Sequence, residues 1–274
     1  MQRVFLIGHP TAHSVSPAMQ NAGFRSIGLD WNYELLETPP AELADVVARL
    51  RAADCVGANV TIPHKQAVVE LLDNVTPRAR AIDAVNTIIK KDGKLIGDNT
   101  DGYGFSASLR SAHVDPQSKR VVVLGAGGAA RAVTVTLAQA GAEQITILNR
   151  TTPRAQALAG FLRASFPNAD IRENDETALS DAQLIVNATP VGMSPHEAES
   201  PMRGAFPAGA VAIDLVYRPL ETRFLRQAAE ENAQTIGGLG MLVHQGAASF
   251  KLWTGRDAPV DLMLDAARHA LNGA

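Results

Sequence analysis

The chain has 274 residues, of which 46% belong to the AVILMFWYC set and 19% are charged. That content can bury a sizeable core and excludes a disordered or collagen-like protein. Lys and Arg total 25 against 28 Asp and Glu, a net charge of −3, so no basic excess points to nucleic acid and no cationic face to a membrane.

At this length single cores tend to split, and two domains are expected. One cysteine, Cys55, excludes a disulfide framework and a Cys-rich zinc site. Met1–Pro10 carries one basic residue and a short apolar run, unlike a signal peptide. The longest apolar stretch, Val121–Ala130, is rich in Gly and Ala and falls short of the ~20 residues of a membrane span. A soluble cytoplasmic protein is expected.

In chain order, the first predicted strand is Arg3–Gly8. Its loop leads into Ser14-Val15-Ser16-Pro17. In an extended segment Ser14 and Ser16 point to the same side. Pro17 suits the first position of a helix and makes Ser16 an N-cap candidate, and two hydroxyls beside a helix N-terminus would also cradle a carboxylate. A strand at Trp31–Leu36 and a helix with Leu43, Val46, Val47 and Leu50 on one stripe follow. Strand Val56–Thr61 places Asn59 and Thr61 on one face. Ile62-Pro63 is then expected to start a helix with Lys65 in its first turn. The helix dipole opposes a cation there and favours its neutral form, which suits proton exchange; an exposed lysine is the ordinary alternative.

Asn86 falls inside a predicted strand, Val85–Lys90, and Lys91-Asp92-Gly93 reads as a hairpin turn. Gly97-Asp98-Asn99-Thr100-Asp101-Gly102 concentrates amides and carboxylates. Asp101 serves there either as a cap of the next helix or as a site residue. Gly102, Gly104, Asp115 and Pro116 punctuate a domain boundary, and Gly237-Gly238-Leu239-Gly240 a second. The expected units are 1–101, 102–237 and 238–274.

Arg120–Leu124 is a buried-strand pattern running into Gly125-Ala126-Gly127-Gly128-Ala129-Ala130, with a helical stripe of Ala130, Val133, Leu137 and Ala140 behind it. This is G-x-G-x-x-A in the strand–turn–helix context of a dinucleotide fingerprint. Gly125 allows the tight turn, Gly127 lets the backbone approach a pyrophosphate, and Ala130 keeps helix and strand close. An ordinary glycine-rich turn is the alternative. The next strand, Ile145–Leu148, ends at Asn149-Arg150, without the acid that would hold a ribose 2′-hydroxyl. Arg150, Thr151 and Arg154 offer two guanidinium groups and a hydroxyl, which suits a 2′-phosphate and therefore NADP(H). A solvated basic helix start is the alternative.

Further strands are expected at Gln183–Asn187 and Val211–Leu215, and helical stripes at Ala155, Leu158, Ala159, Leu162 and at Val260, Met263, Leu264, Ala267. Gln245 shares a stripe with Met241, Ala248 and Leu252, and an amide on an apolar stripe needs a partner: a substrate hydroxyl or a backbone carbonyl. The alternation of strands and helices implies an α/β chain with mostly parallel sheets. The seven histidines show no metal-ligand spacing, and no G-x-S-x-G nucleophile turn occurs.

Taken together, Gly8-His9-Pro10, Ala12 to Pro17, Gly57 to Lys65, Ala84-Val85-Asn86-Thr87, Gly97 to Gly102, the glycine turn with Asn149-Arg150-Thr151, Asn187-Ala188-Thr189 and Gly238 to Leu242 resemble the shikimate dehydrogenase family across nearly the whole chain. The resemblance implies an N-terminal α/β substrate domain, a Rossmann-type NADP-binding domain and C-terminal helices returning to the first domain. It implies reversible reduction of 3-dehydroshikimate to shikimate by NADPH, in a monomer or homodimer with no nucleic-acid, membrane or metal partner. Ser14 and Ser16 would bind the substrate carboxylate, and Thr61, Asn86, Asp101 and Gln245 the ring hydroxyls. Lys65 would be the acid/base, paired with Asp101, and Tyr217 would close the substrate side. Gly125, Ala126, Gly127, Gly128 and Ala129 would hold the pyrophosphate; Asn149, Arg150, Thr151 and Arg154 the adenosine 2′-phosphate; Thr189, Leu215, Gly238 and Met241 the nicotinamide. Two positions depart from the common pattern: Pro190-Val191-Gly192 after Asn-Ala-Thr, and Pro77 where an acid is frequent. A quinate-accepting relative and a non-catalytic dinucleotide sensor are the competing readings.

Overall fold

The computed structural model describes residues 1–273. In chain order the elements are β1 (Gln2–Gly8), α1 (Ser16–Ser26), β2 (Trp31–Glu37), α2 (Leu43–Arg49), β3 (Cys55–Val60), β4 (Asn74–Val75), α3 (Pro77–Ile82), β5 (Thr87–Lys91), β6 (Lys94–Asp98) and α4 (Asp101–Ser111). There follow β7 (Arg120–Leu124), α5 (Gly128–Gln139), β8 (Gln144–Leu148), α6 (Thr152–Ser165), β9 (Asp170–Glu173), β10 (Leu184–Asn187), β11 (Val211–Asp214), α7 (Arg223–Glu230), β12 (Gln234–Ile236), α8 (Gly238–Thr254) and α9 (Val260–Asn272). The chain divides into two compact units: Met1–Gly104 with the segment from Val243 onward, and Phe105–Leu242.

The first unit holds a six-stranded sheet in the order β2-β1-β3-β5-β6-β4. β1 pairs in parallel with β2 and β3, whereas β5 runs antiparallel to both β3 and β6. The hairpin between β5 and β6 turns at Asp92 (φ 52°) and Gly93 (φ 74°), the left-handed pair that a two-residue turn matched to strand twist requires. One side of the sheet packs Ile7, Val60, Ile88 and Leu95 against Val46, Val47 and Leu50 of the α2 region. The other packs Val4 and Leu6 with Phe24, Tyr33, Phe250 and Trp253. Trp253 also donates from Nε1 to the Ile88 carbonyl at 3.0 Å, so its polar edge is satisfied in the core.

The second unit holds a six-stranded sheet, β12-β11-β10-β7-β8-β9, in which all pairings are parallel. Numbered within the unit this is the doubly wound order 3-2-1-4-5-6, whose direction reverses between β7 and β10. Ligands bind such sheets beyond the carboxyl ends of the strands at that reversal. Val122, Leu124, Ile185 and Ala212 pack with Phe206, Phe224 and Leu225 beneath it.

The expected apolar strands are present within a residue or two, and β4, β9 and β12 had not been expected. All three are sheet edges of two to four residues, and an edge strand needs no apolar run. Asn86 lies one residue ahead of β5 rather than within a strand. Ala140, expected on the buried stripe, is exposed at the C-cap of α5.

Gly57 is a position of close approach. An added Cβ would lie 2.2 Å from the Ile88 carbonyl oxygen and 2.7 Å from Trp253 Nε1. Gly57→Ala should therefore destabilise the fold by about 2 kcal/mol or more through overpacking; urea unfolding followed by tryptophan fluorescence checks this, and a loss below about 0.5 kcal/mol would contradict it.

Candidate active site

In the first unit the site forms around one ion pair. Lys65 does not begin a helix. The His64 amide bonds the Thr61 carbonyl at 2.9 Å and the Lys65 carbonyl is taken by the Val85 amide at 2.7 Å, so it is not free to accept a helical bond from downstream. A 3-10 turn starts only at Ala67. The expected dipole effect on Lys65 is therefore absent. Its Nζ donates instead to Asp101 Oδ2 at 2.5 Å, with the two side chains 13% and 5% exposed.

Asp101 is the first residue of α4. Its carboxylate is not spent on capping: Oδ1 accepts from Asn86 Nδ2 at 2.8 Å, while the Asp101 amide is held by Asn99 Oδ1 at 3.0 Å. The Asn86 amide has a fixed sense, because its Oδ1 accepts from the Thr100 amide at 2.8 Å. That leaves Nδ2 facing Asp101, Thr100 Oγ1 at 2.9 Å and Gln245 Oε1 at 3.2 Å. Gln245, half-buried on α8, thus joins the cluster.

A layer of buried polar groups adjoins the cluster. Asn59 accepts from the Tyr33 hydroxyl at 2.9 Å and donates to Ser249 Oγ at 3.0 Å and to the Asn86 carbonyl at 3.0 Å. Thr87 and Thr100 lie 2.8 and 3.1 Å from the same Ser249 oxygen. These groups are buried, and each finds a partner in the layer. The signal in the sequence was the run Asn86-Thr87 and Asn99-Thr100, polar residues bracketing apolar strands.

The segment carrying Ser14 and Ser16 is shaped differently from expectation. α1 starts at Ser16, and its N-cap is Val15 at φ −91°, ψ 2°, so the segment is turned rather than extended and Ser16 is not the cap. Ser14 Oγ accepts from the Ser16 amide at 3.2 Å. The loop is anchored by the Thr11 amide and hydroxyl, both donating to Glu37 Oε2 at 2.7 Å, and by the Ser14 amide on the Thr11 carbonyl. Those two bonds hold the Glu37 carboxyl below the usual range. Thr61 is half-buried at the end of β3. Among the described residues, the Ser16 and Thr61 hydroxyls carry no side-chain hydrogen bond and remain available to a ligand.

In the second unit the glycine turn sits at the reversal point. Gly125 has φ +115°, its amide bonds the Leu148 carbonyl at 2.7 Å, and a Cβ would come within 3.0 Å of the Ala188 carbonyl oxygen. Gly127 is the N-cap of α5 and supplies no side chain to its first-turn amides; a Cβ there would meet nothing within 4 Å. That open space and those amides suit a phosphate. On the neighbouring strand end, Asn149 donates to the Thr151 carbonyl at 2.9 Å and is held through its amide by Asn174 Oδ1 at 3.1 Å. Arg150, Thr151 and Arg154 are exposed, and among the described residues neither arginine has an ion-pair partner. Two unpaired guanidinium groups beside an uncapped helix start fit a dinucleotide bearing an additional phosphate.

Thr189, Leu215, Gly238 and Met241 lie on the carboxyl side of the same sheet. Thr189 donates from its hydroxyl to Asn187 Oδ1 at 2.6 Å, and the Leu215 amide bonds the Asn187 carbonyl at 3.0 Å. Gly238 packs so closely that a Cβ would lie 2.4 Å from the Leu215 carbonyl oxygen. Met241 is buried and Tyr217 half-buried. Pro77 opens α3, capped by Thr76, so that position is committed to helix initiation. Among the described residues no group of three His, Cys, Asp or Glu could hold a metal ion.

Asp214 closes β11 without any solvent exposure, and burial pushes its carboxyl from 3.8 up to about 6. Its folded value lies above its unfolded one, so the stability linked to its proton is present below about pH 4 and lost as pH rises through about 6. The shift corresponds to roughly 3 kcal/mol. Asp214→Asn should flatten this part of the profile and be the more stable protein at neutral pH. Urea unfolding at a series of pH values checks this, and parallel profiles for the two proteins would count against it.

Three family models match the chain: the shikimate dehydrogenase substrate binding domain over residues 6–88, shikimate / quinate 5-dehydrogenase over 108–201, and the shikimate 5′-dehydrogenase C-terminal domain over 238–268. The chain is 49% identical to the shikimate dehydrogenase (NADP(+)) of Symbiobacterium thermophilum, over 98% of this chain and 94% of that protein. It is 47% identical to that of Methanopyrus kandleri, over 96% and 93%. The crystal structure of shikimate 5-dehydrogenase from Thermus thermophilus in complex with NADP(H) and shikimate superposes with a TM-score of 0.89 at 42% identity, covering 99% of this chain and 100% of that one.

Proposed function

Because the chain belongs to the shikimate dehydrogenase family, we propose that Lys65 and Asp101 are the acid/base pair of an NADP-dependent enzyme that reversibly reduces 3-dehydroshikimate to shikimate. The observation that carries the residue assignment is the 2.5 Å contact between two side chains buried in a polar cluster, where an ion pair stabilises the fold little and has a chemical use.

NADPH, when bound, supplies the hydride that reduces the ring carbonyl. As that carbonyl oxygen gains negative charge, the Lys65 ammonium stabilises it and delivers a proton from Nζ. Asp101 keeps the ammonium aimed and accepts from a ring hydroxyl, while Asn86 keeps Asp101 aimed. In the oxidative direction Lys65 takes the hydroxyl proton. Ser14 and Ser16 bind the substrate carboxylate, with Thr61 and Gln245 on ring hydroxyls and Tyr217 closing that side. Gly125 to Ala129 hold the pyrophosphate through backbone amides. Asn149 to Arg154 hold the 2′-phosphate, and Thr189, Leu215, Gly238 and Met241 the nicotinamide. Among the described residues no helix is long and apolar enough to cross a membrane; a cytoplasmic enzyme, monomeric or homodimeric, goes with this role.

The test is a spectrophotometric assay of NADP⁺ and NAD⁺ reduction with shikimate and with quinate. Turnover should be greatest with shikimate and NADP⁺; none with either acid would refute the reading. Lys65→Ala should lower kcat by about 10²–10⁴-fold, the usual contribution of a positioned acid/base. A variant retaining most of the activity would refute the acid/base assignment of Lys65. Arg150→Ala should weaken NADPH about tenfold through one lost charge-assisted bond while leaving NADH nearly unchanged. Equal losses would remove the 2′-phosphate assignment.

A further inference from the structure

One buried carboxylate has no part in the roles above, yet three chain segments depend on it. Asp214 Oδ1 accepts from Asn187 Nδ2 and from the Val216 amide, both at 2.9 Å, and Oδ2 accepts from the Thr222 hydroxyl at 2.6 Å. Each donor holds something further. Asn187 Oδ1 receives the Thr189 amide at 3.0 Å and its hydroxyl at 2.6 Å. Val216 precedes Tyr217, and its carbonyl receives the Gly238 amide at 3.3 Å. Thr222 caps α7 by accepting from the Leu225 amide at 3.3 Å.

We propose that Asp214 is a positioning residue for the nicotinamide end of the cofactor, touching no ligand itself but holding Thr189, Leu215 and the Val216–Tyr217 turn in the arrangement that receives it. This rests on the assignment of Thr189 and Leu215 made above.

A carboxylate suits the place because it only accepts, and three donors converge on it. An apolar residue would strand all three in the core. Burial pushes the Asp214 carboxyl up to about 6, with no charged neighbour among the causes. β10 and β12, which flank β11, carry no titratable side chain. On α7, Arg223, Arg226 and Glu230 are exposed, with Arg223 donating to the Ala198 carbonyl and Arg226 to the Glu221 carbonyl. Protonation therefore places a hydrogen on an oxygen that already faces a donor. The arrangement loosens as pH falls through about 6, and NADPH affinity falls with it.

The experiment begins with wild-type turnover of shikimate and NADP⁺; its absence would sink the family reading, not this one. Dissociation constants for NADPH and for 2′,5′-ADP, which lacks the nicotinamide end, are then measured by fluorescence titration from mildly acidic to mildly alkaline pH. Asp214→Ala should weaken NADPH about tenfold and 2′,5′-ADP less than about twofold. A folded Asp214→Ala protein that binds NADPH as wild type does, or that loses both ligands equally, overturns the proposal. Should that variant not fold, Asp214→Asn decides. The asparagine keeps two acceptor bonds on its oxygen but, like the protonated acid, sets hydrogens against the Thr222 hydroxyl, so its affinity at alkaline pH should already be lowered. The acidic fall specific to wild type should disappear. The 2′-phosphate titrates in both proteins, so the difference between them is the readout. Identical pH profiles for Asp214→Asn and wild type overturn the proposal.

Discussion

A carboxylate 3% exposed to solvent must be given partners or lose its charge, and Asp101 shows how much of a fold that requirement can organise. Lys65 neutralises it, Asn86 fixes its other oxygen, and Asn99 fixes its backbone. Each partner in turn needs a partner. The Asn86 carbonyl receives the Val60 amide and the Asn86 amide reaches the Asp98 carbonyl, which ties the cluster to β3 and β6. Asp98 is itself buried and held by Arg78 and Thr76. The antiparallel run of β5 brings Asn86 beside the carboxyl end of β3, where a parallel strand would have started at the amino end of β3.

Local features were legible in the sequence because their cause is local. The glycine turn needs φ > 0 at Gly125, and the hairpin needs left-handed residues at Asp92 and Gly93. The doubly wound unit follows from apolar strands that alternate with helices. Lys65 could be named from the family resemblance, but its helix could not be predicted correctly. Proline after isoleucine suits a turn as well as a helix start, and what decides is the Val85 amide, a residue 20 positions away that claims the Lys65 carbonyl. The Lys65–Asp101 contact spans 36 positions and exists only in the folded chain. Asp214 was invisible for a similar reason. It falls inside the expected strand Val211–Leu215, and nothing gives it a role until Asn187 and Thr222 are seen to converge on it.

Asp101 and Asp214, both buried, differ in kind. Asp101 meets a cation and gains from its charge. Asp214 meets only neutral donors, so its ionised form is tolerated at the expense of stability. Stability alone would favour an amide at this position; the carboxylate answers instead to the donors on the loops around it.

The Asn86 side chain has a last consequence. Its NH₂ carries two hydrogens yet faces three oxygens, on Thr100, Asp101 and Gln245. Around this NH₂, acceptors outnumber the hydrogens it can offer. A polyol arriving there brings what is lacking, whereas a deoxygenated analogue of identical outline brings nothing. Discrimination by such a pocket falls on chemical kind before shape, and sites built to receive a hydroxyl turn away its absence by several orders of magnitude.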